Sequence, residues 1–410
     1  MNGELWTDWR GRSYPEKSAC VPDHDGVVPR VKGSIESLWR TSPTTRPHLA
    51  AQMQASRNPL FGPPNSDGAC EATWIIRDER LTAALLWING IFDFTDTSAS
   101  EFSRLAGSDY WVLSLRVPTD WLASFRIATW HEPTQAPWRT ARGRMAVRRA
   151  AYKASVPDPR AAHRIGGAHG DSSLAIGPQA LRIPNHVLAN MLGSVEEIYL
   201  PATGRWNKQH VWLYSPPSSE PLPLLVLFDG QVWHNSLALD RIVDSMIATG
   251  ELPPLHIALV DSFSQQRRWH ELGVPCQQAE FAARGLVPYV QAIRSVAPGA
   301  ENAIVSGQSL GGLAALWSLT LSDTFGHAIA QSPSLWRFDL TSVLHDDTLW
   351  HSITLQVGRF EGAMLDAARD VAAQLPGRTV RVQAVNGGHD WAWWLPYLIT
   401  ELQRMLSESR

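Results

Sequence analysis

The chain predicts an α/β architecture in which a mostly parallel sheet covered by helices follows an N-terminal antiparallel β-sandwich. Beyond Leu224, strand-like and helix-like runs alternate, as a parallel sheet with helical crossovers requires. Before Pro157, short β-like runs follow one another between turn-rich stretches. Between Asn302 and Leu321 an apolar run enters the turn Gly307-Gln308-Ser309-Leu310-Gly311 and leaves as a helix-like run, a junction that places a serine at the end of a buried strand.

The N-terminal strands are expected at Ala72–Ile76, Thr82–Trp87, Tyr110–Val117 and Ser124–Ala128, so residues 1–157 read as the sandwich. Asp158 to Gly177 is rich in Ala, Gly, Ser and Asp and reads as linker, which is carried to residue 190. The catalytic domain is expected over 191–410. It opens on a hairpin, Val195–Leu200 and Val211–Tyr214, around Ala202-Thr203-Gly204-Arg205. Leu224–Phe228 is apolar at every position, as in a strand buried on both faces. A helix from Ser236, the strand Leu255–Val260 and a helix from Gln278 lead to the serine turn. His327–Gln331, Ile353–Val357 and Thr379–Val385 supply the closing strands, and a helix runs from Trp391. No internal repeat is evident.

Ser309 is the candidate nucleophile, because a serine on such a turn has its hydroxyl lifted clear of the sheet and small neighbours let the backbone turn tightly. The nucleophile needs a base, an orienting acid and an oxyanion hole. In the α/β-hydrolase topology acid and histidine follow the serine in the chain. Asn386-Gly387-Gly388-His389 lies at the end of the strand Thr379–Val385, where two glycines let the loop turn back, so His389 is the candidate base. His210, His234, His256 and His270 precede the serine; His327, His345 and His351 lack such a loop. Glu361 is the carboxylate offered by the loop Gly358–Gly362, with Asp366 and Asp390 as the other acids within reach in sequence. The oxyanion donors are expected at the amide of Leu310 and, from the loop after Leu224–Phe228, the amide of Gln231.

Composition narrows the function classes. A formal charge of −3 and a pI near 6.5 give no basic footprint for nucleic acid. Cys20, Cys70 and Cys276 are odd in number and far apart, which suits neither a disulfide framework nor a zinc site. Met1–Tyr14 lacks the apolar core of a signal peptide and no run approaches a membrane span, so a cytoplasmic location is expected.

The chain resembles the enterochelin (enterobactin) esterase family over most of both domains. The resemblance rests on Leu38-Trp39-Arg40, Gly107–Trp111, Phe228-Asp229-Gly230-Gln231, Ser306–Gly312 and Gly387-Gly388-His389-Asp390-Trp391. Arg268-Trp269-His270-Glu271-Leu272, with Cys276 and Phe281 after it, is similar to a family segment that lines the active-site cleft. It implies serine esterase chemistry on a catecholate trilactone siderophore, with Ser309 and His389 as catalytic pair, Glu361 as acid and Arg268 against substrate. The expected partner is the ferric siderophore itself; neither a metal nor an organic cofactor is required. A ferric tris-catecholate is a bulky trianion with aromatic faces, so arginine charge and indole surfaces are expected around it. Arg267, Trp233 and Trp391 are candidates for that role beside Arg268. An acyltransferase or thioesterase on the same triad, a non-catalytic siderophore-binding protein and a carbohydrate esterase are the competing readings.

Overall fold

Eight strands build the C-terminal sheet: β1 (Ser194–Leu200), β2 (Gln209–Ser215), β3 (Leu224–Phe228), β4 (His256–Val260), β5 (Ala303–Gln308), β6 (His327–Gln331), β7 (Ser352–Gly358) and β8 (Thr379–Val385). Their spatial order is β1-β2-β4-β3-β5-β6-β7-β8. β1, β2 and β4 pair antiparallel, and all pairs from β4 to β8 are parallel. This computed structural model describes residues 5–7, 12–18, 28–89, 91–182, 187–273, 277–346 and 349–408.

The uniform apolarity of β3 follows from helices on both faces. Leu224, Val226 and Phe228 pack on one side with Leu313 and Leu316 of the helix Leu310–Leu321. Leu225 and Leu227, with the opposite pleat, pack with Trp393 and Leu398 of the helix Trp391–Glu408. Every residue of β3, β4 and β5 is buried, while β8 at the sheet edge is mostly half-buried. The helix expected from Ser236 runs over Leu239–Ala248, and a short helix, Gly230–Asn235, precedes it because Asp229 in a left-handed conformation (φ 60°) turns the chain directly from strand into helix.

The N-terminal part holds two antiparallel sheets. One orders Arg30–Val31, Tyr110–Pro118, Ala69–Arg77 and Leu60–Phe61, with Ser103–Arg104 also on Tyr110–Pro118. The other orders Ser155–Val156, Leu122–Trp130, Ser172–Ile176 and His163–Ile165, with Ala83–Ile88 also on Leu122–Trp130. Trp74 and Leu113 of the first share a core with Leu86, Phe125 and Ala175 of the second, and the Trp74 ring meets Phe125 edge-on at 5.6 Å.

Two expectations change here. The stretch read as linker carries the hairpin His163–Ile165 and Ser172–Ile176, which extends the second sheet by pairing with Leu122–Phe125. Its strands of three and five residues are too short for a period to stand out from loop composition. Helices at Ser34–Thr41, Arg46–Ala55 and Arg144–Ala154 also interrupt the expected run of strands. The last of these buries only Val147 and Ala151, a stripe too narrow to read as helical among its arginines.

The two parts are packed together. Leu122, Ile165 and Leu174 join the core formed by Trp393, Trp394 and Leu395. Cys70 is buried and free; Cys20 and Cys276 lie outside the described residues. Among the described residues no helix is long and apolar enough to cross a membrane, and no group of His, Cys, Asp and Glu is arranged to hold a metal ion.

Candidate active site

Ser309 occupies the junction of β5 and the helix Leu310–Leu321 at φ 59°, ψ −119°. A non-glycine residue held there costs about 1–3 kcal/mol, so the surroundings must impose the conformation. They do so through the bonds from Ser309 N to the Gln331 carbonyl (2.9 Å) and from Ser334 N to the Ser309 carbonyl (3.0 Å). A Cβ on Gly307 would stand 2.4 Å from the Gly311 carbonyl carbon, so only glycine permits the turn. Ser306, Gly307, Gln308 and Leu310 are buried, whereas Ser309 is partly exposed.

The loops after β7 and β8 bring Glu361 and His389 together. Glu361 is fully buried; Oε2 accepts from His389 Nδ1 (2.7 Å), and Oε1 accepts from Ser332 Oγ (2.7 Å) and the Gly358 amide (2.7 Å). A carboxylate accepting the Nδ1–H hydrogen bond keeps the proton on Nδ1 and leaves Nε2 with its lone pair, the tautomer a general base requires. The His389 ring stands edge-on to Trp394 at 4.9 Å. The other two acids are otherwise engaged. Asp366 pairs with Arg369 on an exposed helix face, and Asp390 accepts from the Ser124 amide (2.5 Å), Ser124 Oγ (2.8 Å) and the Ala392 amide (3.1 Å). Burial pushes the Asp390 carboxyl above its usual range, against these bonds. Asn89 Nδ2 donates to the His389 carbonyl (2.9 Å), so residues 89 and 124 of the N-terminal part hold the histidine loop.

Leu310 and Gln231 lie in the first turns of their helices, where amides have no carbonyl partner within the helix. The Gln231 loop is held closely. A Cβ on Gly230 would stand 2.3 Å from the Leu259 carbonyl carbon, and Gln231 Oε1 accepts from the Ser262 amide (3.0 Å). Asp229, also buried, accepts from Ser262 Oγ (2.5 Å), Arg268 Nε (2.7 Å), Arg268 Nη2 (2.8 Å) and Gln308 Nε2 (2.7 Å). One carboxylate thus ties the Gln231 loop to the residue preceding Ser309.

Ser309, His389, Gln231, Arg268 and Trp391 line one cavity of about 180 Å³. Arg267 and Trp233 do not, and their reading as substrate contacts is corrected. Neighbours on a helix point about 100° apart, so Arg267 turns away, pairs with Glu271 (2.6 Å) and stacks on Phe263 (3.8 Å). Trp233 is wholly buried, bonding Gln308 Oε1 (3.3 Å) and packing against Trp391. Sequence reasoning missed the other wall, which the N-terminal part supplies through Trp87, Asn89, Ser124, Arg148, Tyr152 and His169. The only local signal was the glycine-rich stretch Gly166–Gly170, read there as linker.

The strand order and the residues gathered at the carboxyl ends of β3, β5, β7 and β8 define an esterase-type α/β fold, the class of a carboxylic ester hydrolase. The Esterase family model matches residues 206–405, and the enterochelin esterase N-terminal model matches 71–185. The chain belongs to the enterochelin (enterobactin) esterase family. It is 26% identical over 377 residues to the iron(III) salmochelin esterase of Escherichia coli O6:H1, covering 80% of this chain and 86% of that protein. It is 27% identical over 366 residues to the iron(III) enterobactin esterase of the same organism, covering 80% and 89%. The crystal structure of the Shigella flexneri enterobactin esterase in the presence of enterobactin is similar at a TM-score of 0.75 and 25% identity, covering 88% of this chain and 98% of that one.

Proposed function

We propose that this protein hydrolyses the ester bonds of an enterobactin-like ferric catecholate trilactone and so releases its iron, with Ser309, His389 and Glu361 as catalytic triad. The observation that carries the reading is the 2.7 Å bond from His389 Nδ1 to a buried Glu361, at a cavity that also exposes Ser309. The curated relatives' names supply the substrate class. Ser309 Oγ attacks a lactone carbonyl as its proton passes to His389 Nε2, and the Leu310 and Gln231 amides hold the tetrahedral oxyanion. Collapse breaks the ester C–O bond, the histidine returns the proton to the departing substrate alkoxide, and water releases the acyl group from Ser309 by the same steps. In this reading the N-terminal part is a β-sandwich continuing to Ile176, supported by the core its two sheets share.

Ser309→Ala tests the assignment. Turnover of ferric enterobactin falls by a factor on the order of 10⁵ or more while binding is retained, and a fluorophosphonate labels the wild-type protein at Ser309 alone. Turnover undiminished in this variant refutes the serine mechanism, and a wild-type protein that cleaves p-nitrophenyl butyrate but not the trilactone refutes the substrate class.

A further inference from the structure

Of the two arginines that the sequence offered for substrate, one lines the cavity. Arg268 lines the cavity, but its Nε and Nη2 are committed to Asp229, and Arg267 points elsewhere. The carboxylates lining the cavity, Asp229 and Asp390, are each saturated by donors already named. Arg148 and His169 remain. Arg148 projects from the helix Arg144–Ala154, its guanidinium 5.6 Å from the Phe94 ring, and among the described residues it pairs with no carboxylate. His169 lies across Tyr152, whose hydroxyl donates to the His169 carbonyl (2.7 Å). Partial burial, and then the nearby guanidiniums of Arg148 and Arg268, hold the His169 imidazole below its usual range. One exposed guanidinium with no carboxylate partner among the described residues, beside an imidazole also open to solvent that donates as a neutral ring, therefore faces a cavity whose own carboxylates are spent, an arrangement that an anionic ligand complements.

Size and lining narrow the ligand. A cavity of about 150 Å³ accepts one benzene ring, so about 180 Å³ has room for one aryl arm while the rest of a trilactone lies outside the cleft. Trp87 and Tyr152, 5.2 Å apart edge-on, give that arm an aromatic wall beside the two basic groups. We infer that Arg148 and His169, both from the N-terminal part, form the subsite that receives the ionised ring oxygens of one catecholate arm while its ester lies at Ser309. The inference rests on the substrate class proposed above; it makes Arg148 and His169 specificity residues with no part in the bond-breaking steps.

The test compares Arg148→Gln, Arg148→Lys and His169→Gln, each also in a Ser309→Ala background. Affinity of the Ser309→Ala protein for ferric enterobactin, read by tryptophan quenching, falls about tenfold on adding Arg148→Gln. Arg148→Lys restores part of it, His169→Gln weakens it less, and 0.5 M salt narrows the difference that Arg148→Gln makes. A melting temperature within a few degrees of wild type reports that each variant keeps the fold, and the Ser309→Ala background removes turnover from the affinity readout. An affinity for ferric enterobactin that Arg148→Gln leaves unaltered overturns the inference, as does a Ser309→Ala protein that does not bind it. Failure of the underlying substrate reading shows instead as p-nitrophenyl ester turnover by the wild type without trilactone turnover.

Discussion

At the scale of single residues, Asp229 illustrates how a buried carboxylate serves a site without touching the reacting atoms. It sits in a left-handed conformation two residues before Gln231 and takes four donors, one from the side chain next to Ser309. Asn at this position keeps the shape but exchanges one acceptor oxygen for a donor and removes the charge that holds Arg268, which loosens the loop that carries the Gln231 amide. In Asp229→Asn, kcat for ester hydrolysis falls about 100-fold, close to the loss of one oxyanion donor, with KM changed little. Affinity for a boronic acid that mimics the tetrahedral intermediate falls in parallel, whereas ferric enterobactin binding to the Ser309→Ala protein does not. A matching loss of substrate affinity would assign Asp229 to substrate binding.

At the scale of elements, the loop after β8 is not self-supporting. Its Asn386 side chain donates to Asp120 (2.7 Å), its His389 carbonyl accepts from Asn89, and its Asp390 is held by Ser124 at the start of Leu122–Trp130. The N-terminal sheets therefore take part in placing His389 as well as in walling the cavity. Removing one such hydrogen bond costs about 1–1.5 kcal/mol, which is about tenfold in rate if the loop's working position alone is affected. Asn89→Ala and Ser124→Ala each lower kcat on p-nitrophenyl butyrate about tenfold with a melting temperature within a few degrees of wild type. If activity is lost only in proportion to folded protein, the contacts are structural. The clamp was not visible in the chain, since Asn89 and His389 are 300 residues apart and neither has a local pattern that announces the other. The three residues proposed as triad were visible, because each sits at a strand end marked by glycines or by an abrupt change of periodicity.

For the whole molecule, acid stability is set partly far from the cavity. His256, at the start of β4, is buried with Nδ1 against Ser215 Oγ (3.1 Å) and Nε2 against the Ser295 carbonyl (3.3 Å). Burial lowers its pKa, the Ser295 carbonyl opposes that, and Arg294 adds to the lowering. The folded value lies below the unfolded value near 6.5, so the fold disfavours the proton. Its contribution is intact above about pH 6.5 and declines as pH falls from there through the folded value. Urea midpoints measured from pH 7.5 to 5 fall on acidification, and His256→Gln flattens that dependence; an unaltered slope in the variant would place the proton uptake elsewhere.

What the chain determined by itself is the catalytic sheet and the residues at its strand ends. A strand buried on both faces is mostly apolar, as Leu224–Phe228 is at every position, a strained serine turn must be flanked by glycine, and both are local rules written within a few residues. Those rules located Ser309, Glu361, His389 and the Leu310 and Gln231 amides as candidates, and β3, β6 and β8 to the residue. Tertiary structure alone decided which cations face the cavity, that Arg267 and Trp233 do not, and that the stretch beyond Asp158 is a sheet hairpin. Those features depend on the direction of a side chain around a helix and on packing between segments separated by hundreds of residues, and neither is encoded by any short pattern in the sequence.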